Sequence, residues 1–362
     1  MTMWKTNWSE SRQRFCDWWE RKGLLIGMWG APPLAKGEMH EDVPEPPPPA
    51  TPREAYADVE LRALRNHYAL SRSCFPADVL PIADTNIGPG SLALFCGSEP
   101  GFSPETVWFE PCIHDCPDPE LLPPLRFNPE SAWWTITEQT MRRCAELGRG
   151  KYMVGCPDLV ENVDILASLR DPQTLLMDMV ERPEWVEKRI REINDIWFEA
   201  YQRIYDIIKL EDASSAFDAF RVWGPGKTAK LQCDASAMFS PAMFERFVMP
   251  CLTAQCEWLD HSLYHLDGTQ AMCHLDALLS IEALDAIEWT PQAGIERNSH
   301  PRWFDLYRRI LDAGKSVQIP DVRPDEVIPL LDAIGGQGVY ILSSFSSAAE
   351  AENIIDKVAP YR

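Results

Sequence analysis

Ser316-Val317-Gln318-Ile319-Pro320-Asp321, a helical stretch over 325–334 closed by Gly335-Gly336, and Gly338-Val339-Tyr340-Ile341-Leu342 ending at Ser343-Ser344 together read as strand, helix and strand. Each strand is apolar along its length and polar where it stops. Short apolar strands separated by helices form a parallel sheet, because a helix must carry the chain back to start the next strand. The pattern extends outward from this unit. Upstream come helix 301–313, stopped by Gly314, then strand 284–289, helix 270–280, and a strand closing in Tyr264-His265-Leu266-Asp267-Gly268. Helix 240–259 opens at Ser240-Pro241, a capping residue followed by proline at the first helical position.

Further strands are expected at 24–29, 79–86, 151–155, 219–224 and 230–234, with helices over 54–72, 129–147, 162–180 and 183–211. An amphipathic helix over 9–22 precedes them. About eight strand–helix units favour an α/β fold of the (β/α)8 TIM-barrel type with an elaborated N-terminal region. No glycine-rich fingerprint follows the first strand and no P-loop occurs, which disfavours nucleotide binding in either style. The chain reads as one domain, 1–362, with an N-terminal helical segment in 1–23 and excursions at 31–53 and 88–125. The first excursion carries Pro46-Pro47-Pro48-Pro49, a stiff connector.

The 362 residues include 34 basic and 55 acidic side chains, a formal net charge of −21. Such a field repels phosphate backbones and anionic lipid, so neither nucleic acid nor a membrane is an expected partner. Met1-Thr2-Met3-Trp4-Lys5 leads into no apolar signal region, and no apolar run is long enough to span a bilayer. With 11 scattered cysteines, the expectation is reduced thiols and a cytoplasmic location. Exposed aromatics and the proline-rich excursion are compatible with a homodimer.

In a barrel of this kind the C-terminal ends of the strands carry the chemistry. That end would collect Asp84, Asn86, Asp158, Trp223, Cys233, Asp234, His265, Asp267, Trp289, Gln292, Asp321 and Ser344. His265 and Asp267 stand two apart and project to the same side of an extended backbone. With Cys233 and Asp234 they supply imidazole, thiolate and carboxylate donors suited to Zn²⁺ or a similar ion. The simplest metal set is His265, Asp267 and Cys233, and the acid–base candidates are Asp234, His265 and Asp267. Asp84, Asn86, Asp158 and Gln292 are candidate contacts to a small-molecule substrate, with Trp223 and Trp289 as an apolar wall.

The run 231–244, with its Cys233-Asp234 strand end and Ser240-Pro241 helix start, and then Val248-Met249-Pro250, resembles the uroporphyrinogen decarboxylase superfamily. His265-Leu266-Asp267-Gly268 lies where its methylcobamide:coenzyme M methyltransferases have His-x-Cys-Gly. The resemblance covers most of the chain and is best over 150–360. It implies a (β/α)8 barrel, bound zinc, and methyl transfer to a thiol from a corrinoid carried by a partner protein. The chain departs from the family at telling places. Asp267 replaces a cysteine ligand, Ser343 and Ser344 stand where a second one is expected, and the arginine-rich segment that grips tetrapyrrole carboxylates is missing.

Three readings follow. The first is metal-assisted methyl transfer, with His265, Asp267 and Cys233 as ligands and Asp158 or Asp234 behind them. The second is a cofactor-free decarboxylase or lyase on a small carboxylate, with Asp234 or Asp267 as acid–base and Arg221, Arg297 or Arg323 holding the anion. The third is a non-catalytic barrel that binds a ligand or a corrinoid protein.

Overall fold

The computed structural model describes residues 3–104, 106–116 and 118–362. Met1 and Thr2 of the expected N-terminal segment, and Glu105 and Pro117 of the second excursion, lie outside them. The strands are β1 (Leu24–Met28), β2 (Ile82–Ala83), β3 (Glu99–Phe102), β4 (Val107–Glu110), β5 (Met153–Cys156), β6 (Ser215–Phe217), β7 (Val222–Gly224), β8 (Thr228–Gln232), β9 (His261–Asp267), β10 (Ala286–Thr290), β11 (Ser316–Val322) and β12 (Val339–Ser343).

Six of them form one sheet in the order β1-β12-β11-β10-β9-β8, and every pairing in it is parallel. The C-terminal ends of all six therefore lie along one edge. A second sheet, β2-β5-β6-β7, is parallel except for the β6–β7 hairpin, and β3 pairs with β4 alone. The expected alternation is present, but the backbone ladders of the described residues do not close into one eight-stranded ring. Two local features account for this. Pro81, without an N–H, leaves a ladder of two residues where a strand over 79–86 was expected. The expected strand 219–224 is broken by a turn in which Phe220 (φ 61) and Arg221 (φ 51) are left-handed, so β7 runs back antiparallel to β6.

The two sheets meet through isolated hydrogen bonds rather than ladders. At one seam Asp78, fully buried, accepts from the Ile26 amide (3.0 Å) while its own amide donates to the Ile26 carbonyl (2.8 Å). At the other, Ser215 Oγ donates to the Gly226 carbonyl (2.7 Å) and accepts from the Thr228 amide (3.2 Å). The N-terminal helix, Trp8–Trp19, closes the end opposite the strand C-termini. Its Trp8 and Phe15 pack edge-on against Trp223, and Trp19 donates to the Trp223 carbonyl at 2.9 Å. No helix among the described residues is long and apolar enough to cross a membrane.

Asp78 carries more than its seam. Arg14 donates to it at 2.7 Å, Ser11 at 2.9 Å and Arg362 at 3.4 Å, which ties the first helix, β1 and the last residue to one buried carboxylate. Replacing it leaves two guanidinium groups and the Ile26 amide without their acceptor. Asp78→Ala should lower unfolding free energy by roughly 3–5 kcal/mol, read from the urea midpoint by tryptophan fluorescence.

Candidate metal centre and adjoining cavity

Register places Gln232, His265, Glu288 and Gln318 side by side on one face of the parallel sheet. Side chains alternate along a strand, so this row and the residues two places away share that face. The turn after β6 packs on it. The Phe220 ring lies 4.6 Å from the His265 ring, Gln318 donates to the Phe220 carbonyl (2.7 Å), and Tyr340 donates to the Arg221 carbonyl (2.9 Å).

On this face Asp234, His265 and Asp267 each offer a ligand atom, all within 4.8 Å of one another. No other group of this kind occurs among the described residues. His265 Nδ1 hydrogen-bonds Glu288 Oε2, which leaves Nε2 as the free ring nitrogen, and Thr290 donates to the other Glu288 oxygen at 2.6 Å. Burial lowers the His265 pKa, but the Glu288 carboxylate outweighs it and the net shift is upward. Burial raises Glu288 as well, against the pull of His265.

Asp234 follows β8 in a turn fixed by Asp164, whose carboxylate accepts from the Asp234 (2.8 Å) and Ala235 (2.9 Å) amides. Burial and the nearby Asp234 charge push Asp164 up to about 7. Protein packed around Asp234 raises its carboxyl too, although one side opens to solvent. Gln232 donates to Asp234 at 2.7 Å, and Lys230 holds the Gln232 oxygen while donating to Asp158 at 2.6 Å. The chain continues: the Asp158 amide donates to Asn86 Oδ1, and the Asn86 amide donates to Asp84 at 2.8 Å. Asn86 also donates to Asp218, a buried carboxyl raised to about 8 by burial despite Arg221 at 2.6 Å.

Thus Asp84, Asn86, Asp158, Asp234, His265 and Asp267 are brought to one region. Cys233 is not among the clustered donors. It alternates to the opposite face, is buried, and approaches Glu161, and burial holds its thiol far above the usual range. Asp234 occupies the place in the set that Cys233 was expected to fill. Trp223 is packed at the far end of the sheet, and Trp289 faces outward onto Trp303 at 5.0 Å, so neither walls the mouth. Gln292 does line a cavity, and its side chain clasps Thr269. Glu288 and Lys230 were not singled out from sequence. The available signal was a charged residue within an otherwise apolar strand, where burial demands a partner.

The cavity, of 580 Å³, opens at the strand ends, and its wall residue Thr290 is the one that bonds Glu288 and lies in register with Asp267. Trp29, Gln292, Arg297, Asn298, Asp321 and Ser343 are among its walls. Of the three arginines considered for an anionic substrate, only Arg297 reaches it, and its guanidinium donates to the Asp321 carbonyl at 2.7 Å. Arg221 is held by Asp218 and Arg323 by Glu326 at 2.9 Å. Four of the eight left-handed non-glycine residues among those described lie at this end: Val160 (φ 50), Phe220, Arg221 and Asp321 (φ 57). Such strain collects where function fixes the backbone.

No protein-family model and no curated protein matches the sequence. The fold is similar to that of a methyltransferase from Methanosarcina mazei. The likeness spans 98% of this chain and 98% of that one, with a TM-score of 0.61 and 9% identity. At that identity it speaks for the fold alone.

A carboxylate behind a metal-binding histidine fixes its tautomer and raises its basicity. Glu288→Gln should therefore lower the His265 pKa, to below the ordinary imidazole value as burial then prevails, observable by NMR titration of the metal-free protein. A metal ion held by His265 would have to displace its proton, so affinity would fall as pH drops. That fall should begin at higher pH in the wild type than in the variant. At a pH above both transitions the variant should bind Zn²⁺ about 10–100-fold more weakly.

Proposed function

We propose that this protein is a metal-dependent methyltransferase of the uroporphyrinogen decarboxylase-like kind, its two sheets forming an interrupted (β/α)8 barrel. The observation that carries the reading is the Asp234–His265–Asp267 cluster with Glu288 behind His265. Three protein ligands with a position left for substrate is the pattern of a catalytic centre. One imidazole and two carboxylates form a harder donor set than thiolates, suited to Zn²⁺, Co²⁺ or Mn²⁺.

A divalent ion held there would lower the pKa of a coordinated thiol and so supply a thiolate at neutral pH as methyl acceptor. The chain's own residues prepare that event. Glu288 holds the proton on His265 Nδ1, so that Nε2 would be the nitrogen to hold an ion, and Thr290 fixes Glu288. Gln232 orients Asp234, and Lys230 fixes which end of the Gln232 amide faces it. Phe220 covers the His265 ring and keeps water from that side. The 580 Å³ cavity is of a size for a small acceptor. A methylated corrinoid, the donor in this reading, would be presented at the mouth by its own carrier protein.

The decarboxylase reading has no matching observation, since Lys230 is paired to Asp158 and Arg297 is tied to the Asp321 carbonyl.

Protein stripped with chelator should rebind Zn²⁺ stoichiometrically in calorimetry. His265→Ala and Asp267→Asn should each weaken binding by more than about 100-fold, while Cys233→Ser leaves it within about twofold. The loaded wild type, given methylcobalamin and a thiol, should form the thioether, and the two ligand variants should not. A stripped wild-type protein that takes up no metal would remove the basis of the reading.

A further inference from the structure

We propose that the cavity beside the cluster receives the protonated amine end of an organic ligand. This deepens the reading above by naming the class of molecule taken, and rests on it only for where the reacting end lies.

Asp321 is the centre of the argument. The β11–β12 register shifts between Ile319 and Val322, and Asp321 itself is left-handed. A bulge of this kind re-aims a side chain. One Asp321 oxygen accepts from the Trp29 indole N–H at 3.1 Å, and no ion-pair partner faces the carboxylate among the described residues. The other charges of the wall are engaged. Glu296 pairs with Arg302 at 2.6 Å, and Arg297 spans the Asp321 carbonyl and Glu326, at 2.7 and 4.0 Å. Asp321 is therefore the carboxylate of the wall with no ion-pair partner among the described residues.

Trp29, 37% exposed, stands against that carboxylate. An indole face beside a carboxylate is a recognition pair for an ammonium group. Two further wall residues point the same way. Asn298 and Ser343 are 3% and 5% exposed, and Asn298 Oδ1 and Ser343 Oγ have no hydrogen-bond partner. The Asn298 amide nitrogen is spent on the Pro320 carbonyl at 2.6 Å, so what remains there is an acceptor. Buried polar atoms without partners are uncommon; Ser343 Oγ can donate or accept, but Asn298 Oδ1 can only accept, and an ammonium N–H supplies what it lacks. An anionic ligand would instead meet the Asp321 carboxylate and Asn298 Oδ1.

The test uses zinc-loaded full-length protein and three probes of equal length: butylammonium, butanol and butyrate, titrated by calorimetry. Butylammonium should bind saturably and about tenfold more tightly than butanol, with butyrate weakest. Asp321→Asn, a replacement at an exposed position, should bring butylammonium to the level of butanol while circular dichroism and zinc affinity stay unchanged. Butyrate binding as well as butylammonium, a preference that survives in Asp321→Asn, or no saturable binding of butylammonium would each overturn the proposal. Zinc uptake is scored on the same samples. Failure there bears on the metal centre alone, because Asp321 is not one of its ligands.

Discussion

Glu288 has no solvent-exposed surface, and an ionised carboxylate in that position costs several kcal/mol unless charge and hydrogen bonds meet it. Much of the inner face of the parallel sheet is arranged around that requirement. His265 supplies the opposing charge from the neighbouring strand in direct register, and Thr290 fills the second oxygen. Lys230, equally buried, is matched by Asp158 from the other sheet. The turn after β6 then seals the face with Phe220, and its left-handed backbone is held by Gln318 and Tyr340, which bond the carbonyls it exposes. Local strain is tolerated there because the surrounding bonds over-determine the turn.

The same packing decides what the sequence can show. Alternating apolar strands and helices, with polar residues at strand ends, are encoded locally, so the parallel sheet and the edge carrying Asp158, Asp234, His265 and Asp267 were legible. Which way each of those side chains points depends on strand phase. Gln232, Cys233 and Asp234 are consecutive, and only tertiary register shows that the cysteine faces outward. Trp289 is turned away from the mouth by the same alternation. The turn at Phe220-Arg221 had no signal at all. Neither residue is glycine, asparagine or aspartate, so nothing local announces a left-handed pair, and an expected strand became a hairpin that carried Trp223 to the opposite end.

Closure of the sheet is likewise a tertiary matter. A ladder needs several aligned amides on each side, and Pro81 withholds one where β2 would otherwise lengthen. Asp78 and Ser215 substitute side-chain oxygens at the two seams. Fixed polar side chains can join sheet edges that ladders do not, at the cost of making those single residues indispensable.

Raised carboxyls border the mouth. Asp164 is raised to about 7 and Asp218 to about 8, chiefly by burial, and neighbouring carboxylates add to both shifts. Carboxyl groups crowded in this way retain protons that an arriving cation can displace, so binding is linked to proton release. A divalent ion at Asp234, His265 and Asp267 and an ammonium group at Asp321 would draw on the same negative field from adjoining positions. A carboxylate substrate would oppose it, with its nearest cations, Lys230 and Arg297, already engaged. That asymmetry separates this mouth from one built to grip acidic ligands.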